Sequence, residues 1–192
     1  MKAFLITVLL LNAAAAQAAD FGLADWGDTR DEVLAAAGEP LEELELGENH
    51  FIVYADEFAG HRAQRWYWLE PDGETLAAGV ISAAEPTLET FHDWEAALSA
   101  QYGEATADDE FATNDEAVRE RAASADRATQ EKDVRNGLYR FRRAWDTDTT
   151  LASLVAGGAA GELTVDAVLS SAELGAPLFE MGGAAPPEEE AP

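Results

Sequence analysis

WGDTRDEVLAAAGEP, residues 26–40, sets a short helix between two stops. Thr29 and, three residues on, Glu32 form the pair in which each side chain satisfies the other's free backbone N–H. The spacing predicts a helix from Arg30 to Ala37, with Val33, Leu34 and Ala37 turned inward. Gly38 suits the left-handed residue that closes a helix, and Pro40 bars continuation. Two turns of helix do not stand alone in water. This one must be pinned to a surface, and the residues that follow have to supply it.

Three strand patterns follow: HFIVYA (50–55), AQRWYWLE (63–70) and TLAAGVIS (75–82). Gly60 lies in the first connection and Pro71-Asp72-Gly73 marks a turn in the second, so the helix leads into an antiparallel meander. The order then repeats. In TFHDWEAALSAQYG (90–103), Phe91, Trp94, Leu98 and Tyr102 form one helical stripe. Residues 113–136 read as a single charged helix opened by Thr113 and Glu116. It carries a Glu131–Arg135 pair, and with only Val118, Ala122 and Ala125 as an apolar face it should be largely exposed. LYRFRRAW (138–145), TTLASLVA (149–156) and ELTVDAVLS (162–170) are three further strands, with GGAAG (157–161) a wide hairpin loop. The fold expected is α+β: two helix-plus-antiparallel-meander units, about 20–85 and 86–175, with the helices packed on one face of the sheet. They make one domain over 19–180, and the acidic tail 181–192 has nothing to bury and is expected to be disordered.

Met1-Lys2, an apolar run through Leu11 and Ala16-Gln17-Ala18 read as a secretory signal over 1–18, cleaved after Ala18. No later run reaches the roughly 18–20 apolar residues of a membrane span, so a soluble periplasmic or secreted protein is expected, without membrane insertion. The chain has no cysteine, and hence no disulfide and no lipid-anchoring thiol. Twelve basic and 38 acidic residues give a formal charge of −26. Such a chain is repelled by phosphate backbones, which excludes nucleic acid as a partner, and its acidity suits hydration in a saline environment.

Gly27, Thr29, Glu32, Val33, Gly38 and Pro40, then Tyr54, Trp66, Trp68, Gly73 and Leu76, resemble the BamE/SmpA-type domain of bacterial envelope proteins. The resemblance covers residues 22–83. Two such units in tandem look like the β-lactamase inhibitory protein-like fold. What the resemblance implies is helices on one face of an antiparallel sheet, an envelope location, and the binding of proteins rather than catalysis.

No motif in the chain carries chemistry. His50, His61 and His92 make no metal-binding spacing, and His92 falls off the apolar stripe of its helix, where solvent is its natural environment. No serine sits in a nucleophile elbow and no thiol exists. Asp25, Asp28 and Asp31 suit the positive end of the first helix. No catalytic residue, metal ligand or cofactor is therefore expected. On the second strand Trp66 and Trp68 share one face and Tyr67 takes the other. Placing the Trp pair in the core turns Arg65 and Tyr67 outward, with Arg140 and Arg142 of the RFRR strip, as the partner-binding face. The function expected is a protein-binding or envelope-accessory module whose partner is another protein of the envelope or extracellular space. The alternatives are an inhibitor of an extracytoplasmic enzyme and, third, an enzyme with a carboxylate/His site.

Overall fold

Thr29 caps α1 (Arg30–Ala37) through the reciprocal pair, its hydroxyl accepting from the Glu32 amide while the Glu32 carboxylate accepts from the Thr29 amide at 2.9 Å. Gly38 ends the helix at φ 83°, Val33 is fully buried, and Leu34 and Ala37 pack against the core. The computed structural model describes residues 19–46, 49–70 and 75–174. The expected signal over 1–18, the Pro71-Asp72-Gly73 turn and the acidic tail over 181–192 lie outside the described residues.

Eleven further elements follow. They are β1 (Glu42–Leu46), β2 (Asn49–Phe58), β3 (His61–Leu69), β4 (Leu76–Ala83), α2 (Leu88–Tyr102), β5 (Ala107–Ala112), α3 (Glu116–Ser124), α4 (Arg127–Arg135), β6 (Arg140–Asp146), β7 (Thr150–Ala159) and β8 (Glu162–Ser171). The strands form one antiparallel sheet in the order β1-β2-β3-β4-β8-β7-β6-β5. The molecule is a mixed α/β structure in which this sheet dominates. β4 and β8 pair at its centre, from Ala78 opposite Ser170 to Ser82 opposite Asp166.

Two edge strands escape the sequence pattern. β1 reads EELEL and β5 ADDEFA, too acidic to look like strands, yet β1 pairs with β2 from Glu42–Val53 to Leu46–Asn49. Acidic residues suit an edge because they discourage pairing with another chain. The single helix expected over 113–136 is two helices. Asp115, not Thr113, caps α3 by accepting from the Ala117 and Val118 amides. The backbone then turns extended at Ala125, and Asp126 starts α4. The break lets Ala122 and Val134, both fully buried, face the core from separate helices. The Glu131–Arg135 pair forms at 2.8 Å.

GGAAG is no wide loop. Gly157, Gly158 and Ala159 belong to β7, and the β7–β8 hairpin closes on Ala160-Gly161, whose φ values of 55° and 88° are both positive. Ala59-Gly60 joins β2 to β3 in the same way, at 49° and 81°. Two positive φ angles give the hairpin turn whose twist matches that of the strands. Gly158 is fixed by packing, because a Cβ there would lie 2.9 Å from the Val134 carbonyl oxygen of α4.

The four helices among the described residues all lie on one face of the sheet. α1 contributes the Gly38 carbonyl, which accepts from the Tyr54 hydroxyl at 3.0 Å. In α2, Phe91, Trp94 and Leu98 are buried and Trp94 Nε1 donates to the Phe58 carbonyl at 3.0 Å. α3 and α4 are joined by the Arg121–Asp133 ion pair and reach the sheet at Phe111 and Tyr139. The N-terminal segment covers the centre, where Phe21 lies on Gly79 and edge-on to Tyr67, and Trp26 Nε1 donates to Thr150 Oγ1 at 2.9 Å. Among the described residues, no helix is long and apolar enough to cross a membrane.

Candidate interaction face

Side chains alternate along β3, so one assignment decides them all. Ala63, Arg65, Tyr67 and Leu69 turn toward the helices; Gln64, Trp66 and Trp68 turn away. This reverses the outward placement expected of Arg65 and Tyr67. Tyr67 is 2% exposed, wedged edge-on between Phe21 and Tyr54. Its hydroxyl accepts from the Leu23 amide, and burial pushes its pKa up. Arg65 binds Asp56 at 2.6 Å and stacks 4.7 Å over the Phe21 ring. The cause is Phe21, far away in the chain, which needs an aromatic and a cation on the face it covers. Tyr67 is thereby closed to a partner, while Arg65, half-buried, is held by Asp56 on the helix side of the sheet.

The opposite face carries the tryptophans. Its strands are in register as two rows: Phe51, Trp68, Ala78, Ser170 and Leu151, then Val53, Trp66, Val80, Val168, Ser153 and Ala144. No described helix lies over them. Phe51 stacks on Trp68 at 6.5 Å and meets Trp66 edge-on at 6.2 Å. Trp68 Nε1 donates to Asn49 Oδ1 at 3.1 Å. Among the described residues, Trp66 Nε1 and Ser170 Oγ are the buried side-chain polar atoms without a hydrogen-bond partner, and both belong to this face.

RFRR is split by the same alternation and is not one positive strip. Phe141 and Arg143 go under the helices, where Arg143 pairs with Glu95 and lies 5.8 Å from the Phe91 ring. Arg140 and Arg142 stand exposed on the tryptophan face, and among the described residues neither forms an ion pair. Arg142 sits opposite Val155. Arg140 borders a depression of about 790 Å³ at the end of the face, with Leu138, Val155, Gly157, Thr164 and Arg119.

The histidines do not converge. His61 Nε2 lies 2.8 Å from Asp93 Oδ2 and its Nδ1 3.4 Å from Thr90 Oγ1, a carboxylate–imidazole–hydroxyl line. Thr90 is 1% exposed, however, and its hydroxyl is engaged with Thr87 in the cap of α2. The line ties β3 to that helix. His50 stands at the far end of the β2–β3 hairpin, 3.7 Å from Glu45. His92 is half-buried rather than solvated, edge-on to Phe91 and 3.3 Å from Glu95, because the β6 ring of Phe141 reaches its side of α2. Among the described residues no three His, Cys, Asp or Glu side chains are grouped to hold a metal ion.

No family model matches the chain, and neither a curated protein nor a solved structure matches it.

Proposed function

We propose that the chain is an exported, non-catalytic module that docks a protein partner on the helix-free face of its sheet. One observation carries this reading: an apolar face bearing Trp66 and Trp68, flanked by Arg140 and Arg142, which form no ion pair among the described residues, in a chain with 38 acids. A contiguous apolar patch left uncovered by the described helices is typical of an interaction site, and Trp and Arg are the residues that carry most binding energy at such sites. The partner supplies its own carboxylates to Arg140 and Arg142, and nucleic acid is repelled by the remaining acidity.

In this reading the sheet is two helix-plus-meander units, α1 with β1–β4 and α2 with β5–β8, of BamE/SmpA type and working in the periplasm or outside the cell. The strand order supports it, because the fourth strand of each unit meets at the centre and the first strand of each forms an edge. The second reading, an inhibitor of an extracytoplasmic enzyme, draws support from the two rows, which cross the β4–β8 seam without interruption and offer one broad surface.

Capture from an envelope extract tests the proposal. Trp68→Ala and Arg142→Glu should each lose the protein retained by the unaltered chain while melting at nearly the same temperature. Equal retention by all three would remove the face from consideration. Inhibition of a captured hydrolase by the unaltered chain, lost in Trp68→Ala, selects the second reading.

A further inference from the structure

The helix-covered side of the sheet is not filled everywhere. Between the N-terminal segment and α2 lies a cavity of about 580 Å³. Phe21, Ile81 of β4, Leu98 of α2 and Leu169 of β8 line it, each no more than 3% exposed. Gly22, Leu23 and Gln101 are its exposed lining, so it opens to solvent there. Roughly 300–1,000 Å³ is the usual size of a small-molecule pocket, and such pockets are mostly apolar with a few placed polar groups. Most of the polar groups here are already engaged. The Tyr102 hydroxyl donates to the Asp20 carbonyl at 3.4 Å and accepts from Gln101 Nε2 at 2.9 Å. The Asp20 carboxylate accepts from the Trp26 amide at 3.2 Å.

Arg65 is different. Its Nε and Nη2 both donate to Asp56 Oδ2, at 2.7 and 2.6 Å, and among the described residues no hydrogen bond uses Nη1. Asp56 borders a second cavity of about 300 Å³ toward α1, and Arg65 borders both. The guanidinium is thus held from one side and has a donor left for the other. Its position is set in advance. Gly22 passes so close that a Cβ there would lie 2.6 Å from the Tyr67 hydroxyl oxygen and 3.0 Å from Arg65 Cδ, and the guanidinium stacks 4.7 Å over the Phe21 ring. A fixed donor in an apolar cavity selects a ligand with one acceptor. A carboxylate is disfavoured, because Asp56 already matches the charge of Arg65 and a further anion would be buried without compensation. The −26 charge of the chain repels it as well. A carbonyl oxygen carries neither cost. We propose that this cavity binds an uncharged, mostly apolar small molecule through a carbonyl oxygen that accepts from Arg65. The site lies on the opposite side of the sheet from the docking face and does not depend on it.

The test uses three probes of nearly one shape: methyl naphthyl ketone, isopropylnaphthalene, which lacks the acceptor, and naphthoate, which is charged. Methyl NMR of the isoleucine-labelled chain reports where each binds, because Ile81 lines the cavity and Ile52, also buried, does not. The ketone should shift Ile81 saturably and leave Ile52 in place. The hydrocarbon should bind roughly tenfold more weakly, the loss expected for one hydrogen bond to a charged donor. Naphthoate should also bind more weakly than the ketone. Arg65→Lys keeps a cation beside Asp56 but loses the planar set of donors, so the advantage of the ketone over the hydrocarbon should vanish. No saturable shift of Ile81 up to the solubility limit of the ketone overturns the proposal, as do equal shifts at Ile52. Equal binding of ketone and hydrocarbon to the unaltered chain removes Arg65 from the site, and tighter binding of naphthoate makes the ligand an acid; either result overturns it too. Should Arg65→Lys fail to fold, the comparison of the three probes on the unaltered chain decides by itself.

Discussion

Gly79 has an ordinary strand conformation, so it is glycine for another reason: a Cβ there would lie 2.1 Å from Phe21 Cε1. Gly79→Ala should cost about 1–3 kcal/mol, the usual range for overpacking. Urea unfolding measures it, and combining the change with Phe21→Leu should recover part of the loss because the two residues share one contact. The phenols of Tyr102 and Tyr139 are also set by tertiary surroundings. Burial, with Asp20 near the first and Asp133 near the second, raises both from the ordinary 10.0 to about 12. The charged form is the one disfavoured in the fold, so their stabilising effect is complete below pH 10 and is lost as the pH rises toward 12. Ultraviolet titration should show all four tyrosines ionising above the ordinary value, Tyr102 and Tyr139 at about 12, with stability falling across that window. A normal titration of all the tyrosines would contradict their burial.

Among the elements, α1 is the most dependent on its ends. Eight residues supply little cooperative stability, so its cap and the single buried Val33 hold it. Thr29→Ala removes the hydroxyl half of the reciprocal pair and should cost about 0.5–2 kcal/mol. Thermal melting checks it, and Thr29→Ser should retain nearly all of the stability. This helix was legible because a cap is local: Thr29, Glu32 and Gly38 all act within one short stretch of sequence. The α2 stripe was legible because period 3.6 marks a buried face whatever it packs on. β1 and β5 were not legible. A strand of glutamates and aspartates becomes a strand only when a neighbour offers backbone partners. Those of β5 lie far along the chain on β6, from Ala144 opposite Ala107 to Arg140 opposite Ala112.

At the scale of the whole molecule, charge outweighs every local feature. An excess of acids at −26 repels itself and weakens the compact state. The screening length falls from about 10 Å at 0.1 M salt to about 3 Å at 1 M, so added sodium chloride should raise the melting temperature. Exposed pairs such as Arg62–Glu85 are weakened by the same salt, but each contributes little. A flat or falling curve would mean that the acids are already balanced within the fold.

The sequence by itself determined the α+β class, α1 and its caps, the buried stripe of α2, and the alternation along β3 and β6. Each of these depends on residues within a few positions of one another. Only the tertiary structure decided which face of the alternation is covered. Period 2 divides Arg65 and Tyr67 from Trp66 and Trp68, but it is symmetric and names neither side as inner. The symmetry is broken by Phe21 on Gly79 and by Trp94 under Phe58, contacts 58 and 36 positions apart in the chain. Those contacts put Trp66 and Trp68 on the helix-free face, and the proposed interaction site with them.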